Sequence, residues 1–374
     1  VIGGAAARVG PWSAAAVTIA LSLAAAGVAG TGPGSAGLQG VGLKLLVMPV
    51  LWAVPGALIA AHGTAVGIVS PAGGVLAHRD TDLLPADEGR HAGPLLEALD
   101  SALSDVDIAP ADLSMAVVGL PGPSDFTTGR TDRAARLRSG HLQRFRTWDG
   151  GSPVALLEHH LGCRVFAEND ANLAALAEAL MGAAVGLETV LHVSLRHGTG
   201  AGLVIHGRLH RGRHGLAGEI GHLHSDDDGA LCQCGARGCF WQSQSLSSLL
   251  EQLSETHARN LTLRDVAAAA DAEDQDVVRA LRDFGHALGC RLADAAVYLS
   301  PDAITVDGGL GAAGGVIARG IHEGIGRYAP PTIAQATSVL VGACGESAAL
   351  IGGVALAHSE GLFQVDRATW GSSS

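Results

Sequence analysis

Between positions 218 and 239 the chain reads "GEIGHLHSDDDGALCQCGARGC", which places three of its six cysteines close to a histidine. His222, Cys232, Cys234 and Cys239 together offer one nitrogen and three sulfurs, the donor set of a closed tetrahedral Zn²⁺ site. Thiolates crowded in this way are costly to hold without a cation. Gly235 and Gly238 let the backbone curl so that thiols near in sequence can converge. The other reading of the same residues is a run of unbound thiols in a surface loop. A reducing compartment, the cytoplasm, is the natural setting for thiolate ligands. Cys163, Cys290 and Cys344 stand alone among apolar residues and read as small buried hydrophobes.

A second set of residues suits hydroxyl and phosphate chemistry. Asp170, in "ENDAN", sits where a strand gives way to a helix and is a candidate general base for a hydroxyl proton. It is equally a candidate helix N-cap, accepting backbone N–H groups. Asn169 beside it can both donate and accept hydrogen bonds. The glycine stretch "HGTGAG" (197–202), with Gly198, Thr199 and Gly200, could meet a nucleotide's phosphates through backbone N–H groups, and "DGGLGAAGG" (307–315), with Gly308 and Gly309, could pass near its adenosine. A tight hairpin and a helix start require the same glycines. His210, His214 and His224 match no ligand position and read as solvated loop residues.

These groups need a scaffold. The 374 residues suffice for two lobes. A hydrophobic content of 48% with only 3% aromatics and 53 glycines reads as an α/β protein with many tight turns. "ALIAAHGTAVGIVSPAGGVLAHR" is expected to form two apolar strands turning at "SPAGG". Helix is expected at "GPLLEALDSAL" and strand at "LSMAVVGLPGP", followed by helix "PVALLEHHLG", strand "CRVFAEND" and helix "ANLAALAEALMG". A glycine-rich hairpin covers 189–212. Beyond the cysteines come two helices ("SLSSLLEQLSE" and "DVVRALRDFGHALGCRLADAAVYL"), a strand "AITVDGG" and a last helix near "GESAALIGGVALAHS". Strands alternating with helices imply sheets covered by helices, with sites at the strand ends.

A formal charge of −12 excludes general attraction of the chain to nucleic acid, so any DNA contact must come from a local patch. The first sixty residues hold two charged side chains, Arg8 and Lys44. Residues 14–30 have the length of a signal-peptide apolar region, but they are alanine-rich. Residues 45–61 carry Pro49 and Pro55 and fall short of the roughly 20 residues that a membrane-spanning helix needs. No membrane partner is expected.

The chain resembles the ROK family, named for its repressors, open reading frames and sugar kinases. The likeness rests on "AGEIGH" followed by "CQCGARGC", and on "VVGLPGPSDFTTG" (117–129), "AENDANLAALAEA" (167–179), "GTGAGLVIHGRLHRGRHGLAGEIGH" (198–222) and "ITVDGGLGAAGG" (304–315), in family order over about 56–358. It implies a two-lobed α/β fold of the actin and hexokinase type with a ligand cleft between lobes. It also implies sugar contacts at Asn169, Asp170, Glu219, His222 and Gly122, and a structural zinc on His222, Cys232, Cys234 and Cys239. A histidine bound to zinc through one nitrogen keeps the other for a ligand or an acceptor.

The expected organisation is a winged helix-turn-helix-like module over 1–55, an N-terminal lobe over 56–165, a C-terminal lobe with the zinc loop over 166–345, and a closing helix and tail over 346–374. Three departures from the family pattern shape the functional expectation. Trp241 stands where the family carries a second sugar-binding glutamate, although its face can stack on a pyranose. Leu58 or a neighbour stands where kinases carry an acid that helps hold Mg²⁺ and phosphate. The N-terminal module has lost most basic residues, leaving Ser13, Thr18 and Gln39 for base contacts. The expectation is a sugar-responsive, dimeric transcriptional regulator. The alternatives are an Mg-ATP-dependent sugar kinase with Asp170 as base, and a sugar-binding protein with neither activity.

Overall fold

The computed structural model describes residues 56–60, 65–71, 73–80, 93–120, 153–195, 198–213, 215–232 and 234–361. All of them lie in the compact unit Pro55–Ser374. The winged helix-turn-helix expected in the first 55 residues, Gly122, His197 and His214 lie outside the described residues.

Two five-stranded sheets repeat one topology. The first contains β1 (Gly56–Ala60), β2 (Ala65–Val69), β3 (Val75–Asp80), β4 (Met115–Leu120) and β5 (Arg164–Asn169), in the order β3-β2-β1-β4-β5. The second contains β6 (Thr189–Ser194), β7 (Gly200–Ile205), β8 (Arg208–Leu209), β9 (Ala303–Val306) and β10 (Ser338–Val341), in the order β10-β9-β6-β7-β8. In each, a three-stranded antiparallel meander is extended by two parallel strands. Parallel neighbours require crossover helices. Among the described residues these include α1 (Gly93–Asp105) and α2 (Pro153–Leu161) in the first half. The second half has α4 (Phe240–Ser243), α5 (Leu246–Thr256), α6 (Leu263–Asp271), α7 (Gln275–Leu299), α8 (Ala312–Tyr328) and α9 (Pro331–Ala336).

Helices α3 (Asp170–Met181) and α10 (Ala348–Ser359) form the layer between the sheets. Residues Ala171 to Ala179 of α3 are buried without a break, and α10 is apolar on every side. A helix with no polar face is covered all round. Leu350 and Val354 of α10 share a cluster with Val69, Met115 and Val117 of the first sheet, with Leu173 and Leu176 of α3, and with Val190 and Val204 of the second sheet.

Several expectations are corrected. The stretch read as one strand before "SPAGG" is two, with Gly56 opposite Val69, while the turn after Ser70 leads into β3 as expected. α6, α8, α9 and β10 were absent from the pattern reading. α6 shows why: "LRDVAAAAD" carries only one large buried side chain, Val266, and Thr262 and Asp265 form a capping box at its start. α8 is glycine-rich because it touches α7 backbone to backbone. A Cβ on Gly320 would lie 2.3 Å from the Arg282 carbonyl oxygen, and one on Gly289 would lie 2.2 Å from that of Ile321. Cys163, Cys290 and Cys344 are half-buried instead of fully buried.

Candidate carboxylate site and cysteine–histidine cluster

Asp170 opens α3 at the C-terminal end of β5, where the chain passes from the first sheet to the middle layer. The N-cap is Asn169, whose Oδ1 accepts the Asn172 N–H at 3.0 Å, so the cap alternative considered for Asp170 is corrected. Freed from capping, Asp170 accepts the Ala171 N–H at 2.9 Å, and its own backbone N–H also approaches the carboxylate. Desolvation of this half-buried carboxyl, assisted by the charge of Asp307, pushes its pKa up to about 6 against the pull of the Ala171 and Asp170 N–H groups. Glu219 is pushed up to about 7, first by burial and then by the charge of Asp170. Asp170 thus feels the charge of Asp307, and Glu219 feels that of Asp170.

Glu219 is presented by a loop fastened to β7. The Ala201 N–H donates to the Gly218 carbonyl at 2.8 Å, and Gly218 has φ +91°. A Cβ there would stand 2.0 Å from the Ala201 oxygen. A one-turn 3₁₀ helix, Ile220–His222, follows.

His222 divides its two nitrogens. Nδ1 lies 3.6 Å from Cys232 Sγ, while Nε2 lies 3.9 Å from Glu219 Oε2. Cys234 and Cys239 approach to 3.6 Å, and the four donor atoms lie within 4.8 Å of one another. Metal–ligand bonds of about 2.0–2.3 Å around a tetrahedral Zn²⁺ separate neighbouring donors by roughly 3.3–3.8 Å, so this donor set fits that ion. Burial and the neighbouring thiols raise Cys239 to about 12. Burial also opposes ionisation of Cys232, yet the Cys234 backbone N–H and the Trp241 ring N–H pull it below the ordinary thiol value. Trp241 Nε1 lies 3.3 Å from Cys232 Sγ, and its ring meets His222 edge-on at 81°. Its donor therefore faces the thiol cluster.

Of the glycines assigned to a nucleotide, Gly198, Gly200 and Thr199 precede and open β7, while Gly308 and Gly309 form a 3₁₀ turn after β9. Gly308 is also required by packing, since a Cβ would lie 2.1 Å from the Gly342 oxygen. Asp307, absent from the sequence reading, joins the end of β9 to the end of β6. Its Oδ2 accepts the Leu195 N–H at 2.6 Å and the Ser194 hydroxyl at 3.3 Å. Its Oδ1 lies 3.4 Å from Nε2 of the fully buried His192, whose Nδ1 meets Thr305 Oγ1 at 3.0 Å. The only sequence signal was an acid directly before two glycines. Glu168 and Arg211 were missed as well. His210 and His224 are exposed as expected, and His224 lies 3.4 Å from Asp227.

The sequence profile of the ROK family matches residues 94–360. The chain belongs to the ROK family. Glucokinase of Halalkalibacterium halodurans is 30% identical over 274 residues, covering 69% of this chain and 80% of the glucokinase. The xylose repressor of Bacillus subtilis is 36% identical over 140 residues, covering 37% of this chain and 36% of the repressor. The chain thus matches most of that glucokinase but about a third of the repressor. The crystal structure of a ROK-family glucokinase from Streptomyces griseus, in complex with glucose and AMPPNP, superposes with a TM-score of 0.65 at 26% identity, covering 81% of this chain and 99% of that one. The actin/hexokinase-like expectation for the described unit agrees with this match. No helix among the described residues is long and apolar enough to cross a membrane.

Proposed function

We propose that this ROK protein is a sugar-responsive transcriptional regulator whose effector is held by Asn169, Asp170, Glu219 and His222. The zinc ion that we assign to His222, Cys232, Cys234 and Cys239 would hold the Glu219 loop in shape and fix the His222 ring. It supplies no step of chemistry.

One observation carries the choice of regulator over kinase: the buried carboxylate of Asp307, held against the end of β6 directly before the Gly308–Gly309 turn. Phosphoryl transfer depends on positive and neutral donors around the phosphates. A carboxylate beside that turn opposes them, and β1, "GALIA", brings no acid to hold Mg²⁺. Operator binding belongs to residues 1–55, and two half-sites would call for a dimer.

The test is calorimetric titration with D-glucose and D-xylose, with and without Mg-ATP, alongside coupled ADP release. Sugar binding with no turnover is expected. Turnover in the range of about 1–100 per second would overturn the regulator reading. DNA retention that falls steeply with salt would support it. For the metal, Cys234→Ala is expected to lose zinc and weaken sugar binding, and unchanged metal content would remove the ligand assignment.

The kinase reading is favoured by Asp170 itself. A half-buried carboxyl with a pKa of about 6, not committed to capping its helix, is suited to take a hydroxyl proton near neutral pH.

A further inference from the structure

Asp170 and Glu219 come from segments some fifty residues apart, and a single side chain joins those segments. The Nε of Arg211 donates to Glu168 Oε2 at 2.7 Å, and its Nη1 donates to Glu360 Oε1 at 2.8 Å. Glu168 is 1% exposed. Its other oxygen, Oε1, accepts the Asn169 N–H and the Asn172 side-chain amide, both at 2.9 Å. Arg211 therefore grips the carboxylate that anchors the first residues of α3, where Asn169 and Asp170 stand.

The backbone of the same residue meets the other half of the site. Its carbonyl accepts the Ala217 N–H at 3.2 Å, which closes the 211–217 loop, and the next residue, Gly218, is the one tied to β7. Glu219 follows directly. The third connection runs to Glu360, the residue after α10, and α10 is the helix packed between the two sheets.

A buried ion pair contributes little net stability, because desolvation offsets most of the attraction. A planar guanidinium bridging two carboxylates does fix geometry, and an ammonium cannot span both in the same way. We propose that Arg211 is a positioning residue, setting Asp170 against Glu219 through Glu168 and tying that spacing to helix α10 through Glu360. Ligand occupancy between the two carboxylates is thereby coupled to the middle layer, and through it to the first sheet. For its ligand this inference rests on the carbohydrate reading; for the linkage it does not.

The experiment uses the full chain, with Arg211→Met, Arg211→Lys and Glu360→Gln beside the wild type. Amide hydrogen exchange is followed first without sugar. Arg211→Met is expected to speed exchange at 168–172, at 217–222 and in the last turn of α10 together, since a coupled element opens as a unit. Faster exchange confined to 208–213 would overturn the proposal. Glu360→Gln leaves the Glu168 contact intact and keeps the test decisive should Arg211→Met fail to fold.

Calorimetry with D-glucose and D-xylose follows, well below the melting temperature. Glu360→Gln is expected to weaken binding about tenfold, the factor that an ordinary coupling between contacting groups corresponds to. Adding Arg211→Lys to it should cost little more, because both remove the same link. A melting temperature lowered with unchanged affinity would mean a purely structural role and overturn the proposal. If the wild type takes up neither sugar, the carbohydrate reading fails and the exchange result alone decides the linkage.

Discussion

Trp241 donates its ring N–H to Cys232 Sγ across 3.3 Å. Where the family places a sugar-binding glutamate, this chain has a donor aimed at a thiol of the cysteine–histidine cluster. Second-layer donors of this kind commonly matter about tenfold or more in metal affinity. Trp241→Phe keeps the ring and removes the N–H, and it should release zinc to a chromogenic chelator about ten times faster than wild type. Equal release rates would show that the bond does not support the thiolate.

Asp170 gives a signed pH dependence. Its folded pKa is raised from 3.8 to about 6 by burial and by Asp307, so the folded state binds its proton more tightly than the unfolded chain does. The stability contributed by the protonated form is complete below about pH 4 and is lost as pH rises through about 6. At 1.36 kcal/mol per unit, the loss is about 3 kcal/mol. Denaturant unfolding of wild type and Asp170→Asn at pH 4 to 7 isolates this term. The wild type should lose that much relative to the variant across the window, and a flat difference would contradict the burial argument.

Asp307→Asn tests the electrostatic basis of the regulator reading. Removing one charge a few ångströms from a phosphate is worth on the order of 1–2 kcal/mol near a protein surface, or about tenfold in affinity. Titration with Mg-ADP should therefore give tighter binding in the variant than in wild type. Weaker binding would mean that Asp307 assists the nucleotide, and would favour the kinase.

Gly218→Ala combines an unfavourable φ of +91° with a Cβ that would stand 2.0 Å from the Ala201 oxygen. The Glu219 loop must then detach from β7. The expected cost is about 1–3 kcal/mol of stability, together with a loss of sugar affinity of at least about tenfold and retention of zinc. Unaltered sugar affinity would place Glu219 outside the binding site.

Local chemistry carried much of the reading. The cysteines and His222 were legible because thiolate ligands with glycine spacers converge over a short stretch, where proximity in sequence forces proximity in space. Helices α3, α5 and α7 were legible from their apolar spacing and their flanking residues. α6, α8 and β10 were not, because alanine and glycine give almost no periodic signal, and the close α7–α8 contact that requires Gly289 and Gly320 exists only once both helices are in place.

Residue types, spacing and family motifs were thus enough to establish the family, the donor set of the cluster and the candidate status of Asp170 and Glu219. Folding decided which of two neighbours caps α3, leaving that task to Asn169 and turning Asp170 into a half-buried acid whose pKa is raised to about 6. It also brought Asp307 to Leu195 and Arg211 to Glu168 and Glu360. Those pairings span 43 to 149 positions and arise from strand order and the middle helix layer. A charge's environment is set by what surrounds it in space, and linear sequence does not contain that distance.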